Sequence, residues 1–132
     1  MKQLMLLAGA AVLAMSASAY AEGDPAAGEK VFRKCQACHM VGDDAKNRVG
    51  PVLNGVVGNS WGHVEDYRYS KALLEGKEEG RVWDNETLDA YLTNPKDVIP
   101  KGKMAFAGLR KEEERADVIA YLSQFNEDGS TN

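Results

Sequence analysis

The stretch Cys35-Gln36-Ala37-Cys38-His39 holds both cysteines of the chain and one of its two histidines. A disulfide between Cys35 and Cys38 would close a very small loop, and a loop of that size adds little stability to a fold. The two thiols therefore do not act as a structural staple. We interpret them as attachment points for another group.

The five residues form the pattern C-x-x-C-H, which is typical of c-type haem attachment. The thiols of Cys35 and Cys38 add to the two vinyl groups of a haem, and the two-residue gap matches the separation of those groups on the ring edge. His39 comes next in sequence and falls under the ring, where its imidazole can bind the iron. The motif predicts one covalently attached haem c per chain.

Two other kinds of site also contain paired cysteines. A thioredoxin-like redox pair belongs to a βαβ context, and the sequence offers no such pattern. A zinc site needs about four ligands, and His63 is the only Cys or His outside the motif. Haem attachment is therefore favoured over both alternatives.

The second axial ligand of the iron has three candidates after the N-terminal segment, namely Met40, Met104 and His63. Met40 directly follows His39 and cannot easily reach the opposite haem face. Met104 lies in an irregular loop over residues 98–110 that can turn its thioether inward. We therefore favour Met104 as the ligand, over the alternative that it only fills a gap in the hydrophobic core. We interpret His63 as a solvated loop residue, and an open sixth position is the remaining alternative.

The N-terminal segment, residues 1–21, has the pattern of a cleaved secretory signal peptide. Met1-Lys2 provides a positive start, residues 4–15 are apolar or small, and Ala19-Tyr20-Ala21 fits the A-x-A cleavage pattern. The apolar run is shorter than the ~20 residues that span a bilayer, and an uncleaved anchor helix is the alternative. We expect residues 22–132 to form a single domain that is exported to the periplasm and soluble.

The charge of the chain excludes one class of partner. The full sequence has 16 Lys and Arg residues against 20 Asp and Glu residues, a net charge of −4. Cleavage would remove Lys2 and leave 15 basic against 20 acidic residues. Because nucleic-acid-binding proteins normally carry a basic excess, no nucleic-acid partner is expected.

The cysteines lie near the end of the first predicted helix, over residues 25–37. Asp24 can cap the free amides of this helix, and Pro25 at its first position costs no hydrogen bond. A last helix begins near Lys111, where three glutamates complement the helix dipole. The polar tail after it, residues 126–132, is expected to fray.

Two shorter helices are predicted between these. Ser70 can cap one through residues 71–74, and Asp84 can cap another that stops at Asn94-Pro95, because a residue before proline avoids the helical region. The Gly-rich segment 40–64 is too long for a compact domain unless something organises it. We therefore predict an all-α fold of three to five helices, with long loops wrapped around one covalently bound haem.

Taken together, these residues resemble class I cytochrome c of the bacterial cytochrome c2 type across residues 24–126. Beyond the attachment motif, the matching pieces are Gly28, Phe32, Gly50-Pro51, Tyr69, Trp83, Tyr91-Leu92, Asn94-Pro95, Ile99-Pro100, Lys103-Met104, Phe106-Ala107-Gly108 and Ile119-Ala120-Tyr121-Leu122. The resemblance implies the cytochrome c fold, in which the first and last helices cross and Gly28 approaches Tyr121 closely. It also implies that the Pro51 carbonyl accepts a hydrogen bond from His39.

By this resemblance the chain is a one-electron carrier and not an enzyme. Cys35 and Cys38 would form the haem thioethers, and His39 and Met104 would fill both axial positions of the iron. The iron would cycle between Fe(II) and Fe(III), taking electrons from a quinol-oxidising cytochrome bc complex and passing them to a terminal oxidase or a photosynthetic reaction centre. A haem enzyme or gas sensor and a fixed subunit of a larger complex are the alternatives.

The resemblance further implies a monomer that docks transiently on membrane redox complexes through lysines around the haem edge. The candidate residues are Lys34, Lys71, Lys101, Lys103 and Lys111. Scattered solvated charge is the alternative interpretation of these lysines.

Three positions depart from the family pattern. Asn59 stands where an arginine commonly lies near the inner haem propionate. Gly102 replaces a threonine that usually donates to a propionate, and Lys101 stands where glycine is usual. With both propionate donors absent, Trp83 and Tyr69 are the donors that remain.

Overall fold

The computed structural model describes residues 22–132, so the predicted signal peptide lies outside the described residues. Five α-helices occur in this range: α1 (Pro25–Phe32), α2 (Lys71–Glu78), α3 (Asn85–Thr93), α4 (Pro95–Val98) and α5 (Glu112–Leu122). Strand-like pairing in the same range is limited to two isolated bridges, Ser60 with Val82 and Phe125 with Thr131. The prediction of a mainly helical fold with three to five helices is confirmed. None of the helices in residues 22–132 has the length and apolar character needed to cross a membrane.

Helix α1 begins where the sequence predicts and ends earlier. Asp24 Oδ1 accepts a hydrogen bond from the Ala26 amide at 3.0 Å, and Pro25 occupies the first position. The α-helix ends at Phe32 because the amides that follow bond carbonyls three residues back, as Cys35 does to Phe32 at 2.8 Å. Both cysteines of the motif therefore lie in tight turns that directly follow the helix, and not in its last turn.

The two middle helices carry the predicted caps. Ser70 Oγ accepts from the Leu73 amide at 3.1 Å, and Asp84 Oδ1 accepts from the Thr87 amide at 2.7 Å. Helix α2 is about one turn longer than predicted. The stop at Asn94 is confirmed, but the proline after it begins the additional helix α4, because its fixed φ suits a first helical position.

Helices α1 and α5 cross in direct contact, and Gly28 makes this crossing possible. A Cβ atom on Gly28 would collide with the Asp117 carbonyl and would lie 2.8 Å from the Cβ of Tyr121. Phe32, one turn further along α1, packs its ring 5.4 Å from the ring of Tyr121. The close approach of Gly28 to Tyr121 that the resemblance implies is confirmed.

Gly28→Ala is expected to destabilise the folded chain by about 1–3 kcal/mol, because the added methyl forces the two helix backbones apart. The gain in helix propensity, about 1 kcal/mol, only partly offsets this cost. Lys30→Ala, at an exposed position of the same helix, should change stability by less than about 0.5 kcal/mol. Denaturant unfolding measures both variants, and equal midpoints would contradict the role given to Gly28.

The C-terminal tail differs from its prediction. Residues 126–132 fold into a turn, in which the Asn126 amide donates to the Ser130 carbonyl at 2.9 Å and Phe125 pairs with Thr131. Gly129 is buried with φ +86° and packs against the backbone of Gly42. Polar composition alone suggested fraying, whereas these polar groups satisfy one another and dock on an earlier loop.

Candidate haem site

A cavity of ≈ 360 Å³ lies between the helices and the long loops. Its wall includes side chains that also belong to the hydrophobic core, namely Val56, Trp83, Leu88, Ile99, Val118 and Leu122. Because protein interiors are normally close-packed, core side chains that face a void indicate that protein atoms alone do not complete this core. The cavity also brings together all four predicted site residues: Cys35, Cys38, His39 and Met104.

The two cysteines of the motif are free and half-buried at this cavity. Burial, together with the neighbouring Cys38, raises the pKa of the Cys35 thiol to about 11. A redox-active pair requires a lowered thiol pKa, so this environment is the opposite of a thioredoxin-like site. The described residues also contain no group of three or more His, Cys, Asp or Glu side chains that could hold a metal ion, as a zinc site would require.

The His39 ring is held in one orientation by the loop that faces it. Nδ1 lies 2.7 Å from the Pro51 carbonyl oxygen, so this nitrogen carries the proton and donates it. Gly50 provides the space, because a Cβ atom there would lie 2.7 Å from Nδ1 and 2.8 Å from Nε2. Burial lowers the pKa of His39 and the Pro51 contact opposes that shift. The imidazole is thus neutral, with the Nε2 lone pair available to a metal.

Met104 is held by an aromatic side chain of α3. The Tyr91 hydroxyl donates to Met104 Sδ at 3.8 Å, and the Tyr91 ring packs 4.8 Å from that of Trp83. Burial and the neighbouring Tyr67 raise the pKa of Tyr91 to about 12, so the hydroxyl keeps its proton across the neutral range. Tyr91 therefore orients the thioether as a hydrogen-bond donor.

Trp61 supports this wall from behind by packing on Trp83, which borders the cavity, and sequence reasoning missed it. Its ring stacks on Trp83 at 4.6 Å and 21°, with only 2 % of the residue exposed. Gly76 of α2 accommodates it, since a Cβ there would collide with the indole. Trp61 Nε1 is buried without a hydrogen-bond partner. The only signal in the sequence was a large aromatic residue within a glycine-rich loop.

His63 is not the solvated loop residue that the sequence predicts. It is half-buried and borders the cavity. Nε2 lies 3.1 Å from the Asn54 carbonyl oxygen, and donation of its proton to that oxygen removes this nitrogen as a ligand. The arrangement favours Met104 over His63 as the second axial ligand.

The two remaining propionate donors border the cavity, whereas Asn59, which stands in place of the usual arginine, does not. Trp83 and Tyr69 border the cavity, as the remaining propionate donors should. Burial raises the pKa of Tyr69, and its hydroxyl oxygen accepts from the Val64 amide at 3.2 Å, which leaves its own proton to donate. Asn59 does not border the cavity, so it does not replace the missing arginine.

Two of the five candidate docking lysines border the cavity, Lys34 and Lys103. Lys34 Nζ pairs with Glu114 at 3.1 Å, and Lys103 Nζ donates to the Arg68 carbonyl at 3.0 Å. The other three, Lys71, Lys101 and Lys111, are exposed and do not border the cavity. Only Lys34 and Lys103 of the five therefore line the cavity itself.

The residues of the cavity fit a haem. Two thiols, a neutral imidazole and a thioether are the side chains that attach and ligate haem iron. The apolar wall suits the faces of the macrocycle. The Trp83 and Tyr69 side chains offer donors suited to acidic groups at its edge.

Comparisons with known proteins agree with this fit. The family model described as cytochrome c matches residues 25–126. The chain is 50 % identical over 123 residues to a cytochrome c2 of Rhodomicrobium vannielii, covering 93 % of this chain and 96 % of that protein. It is 52 % identical over 106 residues to a cytochrome c-550 of Ancylobacter novellus, covering 80 % and 99 %. The solved structure of cytochrome c2 from Rhodospirillum centenum superposes with a TM-score of 0.75 at 42 % identity, covering 79 % and 99 %.

The matched range includes the attachment motif, the loop that holds His39 and the loop that carries Met104. It also spans helices α1 to α5. Fold, cavity and sequence similarity therefore agree. The chain belongs to the cytochrome c family, and as such it binds one covalent haem c and is an electron carrier rather than an enzyme.

Proposed function

We propose that Cys35 and Cys38 attach the haem through thioether bonds and that His39 and Met104 are its axial ligands. The observation that carries this proposal is that all four side chains border one cavity. Each axial candidate is also oriented by a neighbour. Pro51 holds the protonated Nδ1 of His39 and leaves Nε2 free, and the Tyr91 hydroxyl holds the sulfur of Met104.

The bound haem supplies one-electron exchange between Fe(II) and Fe(III). With His39 and Met104 as its ligands, the iron would have no position free for a substrate. Thioether ligation and the apolar wall favour the ferrous state, which raises the reduction potential. The hydrogen bond from Tyr91 withdraws electron density from the sulfur and acts in the same direction.

We also propose that residues 1–21 are a signal peptide and that the mature chain works in the periplasm as a soluble monomer. Its donor would be a quinol-oxidising cytochrome bc complex, and its acceptor a terminal oxidase or a photosynthetic reaction centre. The cleavage pattern Ala19-Tyr20-Ala21 supports export. The similarity to cytochromes c2 supports a diffusing carrier.

An oxidised-minus-reduced visible and near-infrared spectrum of the purified holoprotein tests the ligand assignment. Sharp low-spin c-type bands with a weak ferric sulfur-to-iron charge-transfer band are expected. A low-spin spectrum without that band would indicate that a nitrogen ligand such as His63 or a lysine, and not Met104, binds the iron. A high-spin spectrum would favour the enzyme or sensor alternative.

Lys103→Glu is expected to slow electron transfer to an acidic partner by about tenfold at low ionic strength, because it inverts a charge at the mouth of the cavity. The difference from the unmodified protein should shrink as salt is added. Lys96→Glu makes the same charge change at an exposed position that does not border the cavity, and it should slow transfer by less than about threefold. Stopped-flow rates across a salt series measure both. Equal slowing by the two variants would indicate a net-charge effect without local docking.

A further inference from the structure

The C-terminal turn, residues 126–132, is tied to the loop that carries Asn59. Glu127 Oε1 accepts a hydrogen bond from Asn59 Nδ2 at 2.6 Å across 68 residues of sequence. The same amide nitrogen donates to the Gly55 carbonyl at 3.1 Å, and the Gly55 amide donates to the Phe125 carbonyl at 3.1 Å. A side-chain bond thus joins the loop to the turn, and a backbone bond joins it to Phe125, the residue directly before the turn.

The backbone around Asn59 in turn holds Trp83. The Trp83 amide donates to the Asn59 carbonyl at 2.7 Å, and the Trp83 carbonyl accepts from the Gly58 amide at 2.6 Å. The Trp83 side chain borders the haem cavity and packs between Trp61 and Tyr91. A displacement of the Asn59 loop would therefore move a wall of the cavity.

Asn59 has no contact of its own with the cavity, so its effect on the haem is indirect. Its carbonyl holds Trp83, its Oδ1 accepts from the Ser60 amide at 2.8 Å, and its Nδ2 points to the C-terminal turn. The Glu127 carboxylate makes the bond to Asn59 charge-assisted, which is the stronger kind. The turn therefore restrains the loop at the point where the loop holds Trp83.

We propose that Glu127 is a positioning residue that, through Asn59, fixes the backbone of Trp83 and so the wall of the haem cavity. The proposal rests on the proposed function, which puts the haem in this cavity. Glu127 could act through its hydrogen bond to Asn59 or through its charge, and two substitutions separate these effects. Glu127→Gln keeps an oxygen acceptor for Asn59 and removes the charge. Ala removes both the acceptor and the charge.

Amide hydrogen exchange in the holoprotein tests the proposal by NMR. Glu127→Ala should speed exchange at the Trp83 and Gly58 amides about three- to tenfold, which corresponds to one lost hydrogen bond. Glu127→Gln should change these rates less than about twofold. The Gly50 amide, bonded to the Cys38 carbonyl at 2.9 Å on another wall of the cavity, is the control and should not change. Equal acceleration at all three amides in Glu127→Ala would indicate global destabilisation and overturn the proposal, as would no change at Trp83.

A double-mutant cycle with Asn59→Ala gives an independent readout. Asn59→Ala removes the side-chain amide that bonds Glu127 and keeps the backbone carbonyl that bonds Trp83. In this background Glu127→Ala should therefore cause no further acceleration of exchange at Trp83. An undiminished effect in that background would overturn the route through Asn59.

The midpoint potential should be lower in Glu127→Ala than in Glu127→Gln, because a looser wall admits water to the haem. Equal midpoint potentials in the two variants would mean that Glu127 acts only through its charge, and would overturn its positioning role. Failure of the His39 and Met104 assignment would appear in the spectrum of the unmodified protein. That failure would leave the exchange result at Trp83 unaffected, so the two proposals fail separately.

Discussion

The double variant Cys35→Ala, Cys38→Ala, prepared without haem, is expected to lose its compact helical structure. The reason is the cavity of ≈ 360 Å³, whose wall is made of core side chains such as Leu88, Val118 and Leu122. Without haem these core side chains face water, so the domain loses the apolar burial and the contacts that the haem supplies. The whole stability of a small domain is only about 5–15 kcal/mol. Removing the haem therefore removes most of what holds the fold together.

Far-ultraviolet circular dichroism and the hydrodynamic radius measure this loss. The unmodified holoprotein is the first reference, and the double variant reconstituted with added haem is the second. Non-covalent haem should restore part of the helicity, because the Cys→Ala changes remove the attachment and leave the rest of the wall in place. A double variant that is compact and fully helical without haem would contradict the account of the core.

Met104→Ala is expected to abolish the ferric sulfur-to-iron charge-transfer band and to open the sixth position of the iron. The ferrous variant should then bind carbon monoxide rapidly, whereas the unmodified protein should not. The midpoint potential should fall by a sizeable fraction of the roughly 0.8 V over which axial ligands set haem potentials, since a thioether favours the ferrous state. The Tyr91 hydroxyl also loses its acceptor, so it no longer contributes to that preference.

Met40→Ala is the matched control for this variant. Met40 is half-buried and, unlike Met104, does not border the cavity. It should keep the charge-transfer band and resist carbon monoxide, with a loss of stability below about 2 kcal/mol, because Met40 does not belong to the hydrophobic core. A Met104→Ala protein that retained the band and the potential would show that another residue ligates the iron.

The features that the sequence predicted correctly depend on short stretches of chain. The caps at Asp24, Ser70 and Asp84 are side-chain oxygens that bond amides two or three residues away, so local sequence is enough to find them. The stop at Asn94 follows from the clash of the Pro95 ring with the residue before it, which keeps Asn94 extended. The spacing of Cys35 and Cys38 reflects the geometry of the haem edge and needs no knowledge of the fold.

The features that the sequence missed depend on contacts between distant residues. The polar C-terminal turn is ordered by the bond from Asn59 to Glu127 and by the packing of Gly129 against Gly42, which no local pattern reveals. Trp61 can pack behind Trp83 only because α2 supplies Gly76 beside it. His63 was assigned to solvent from its glycine-rich neighbours, whereas the surrounding loops bury half of it.

The sequence by itself determined that this chain carries covalent haem, because five consecutive residues bring together the thiols and the imidazole that the chemistry requires. It also determined the mainly helical class, since caps and helix breakers act over a few residues. Only the tertiary structure decided how the site is held. The orientation of Met104 by Tyr91 and that of Trp83 by the Asn59 loop join residues that are 13 and 24 positions apart, whereas the bond from His39 to the Pro51 carbonyl agrees with what the resemblance implied. Such contacts depend on where the folded loops meet, which the order of residues within each loop does not specify.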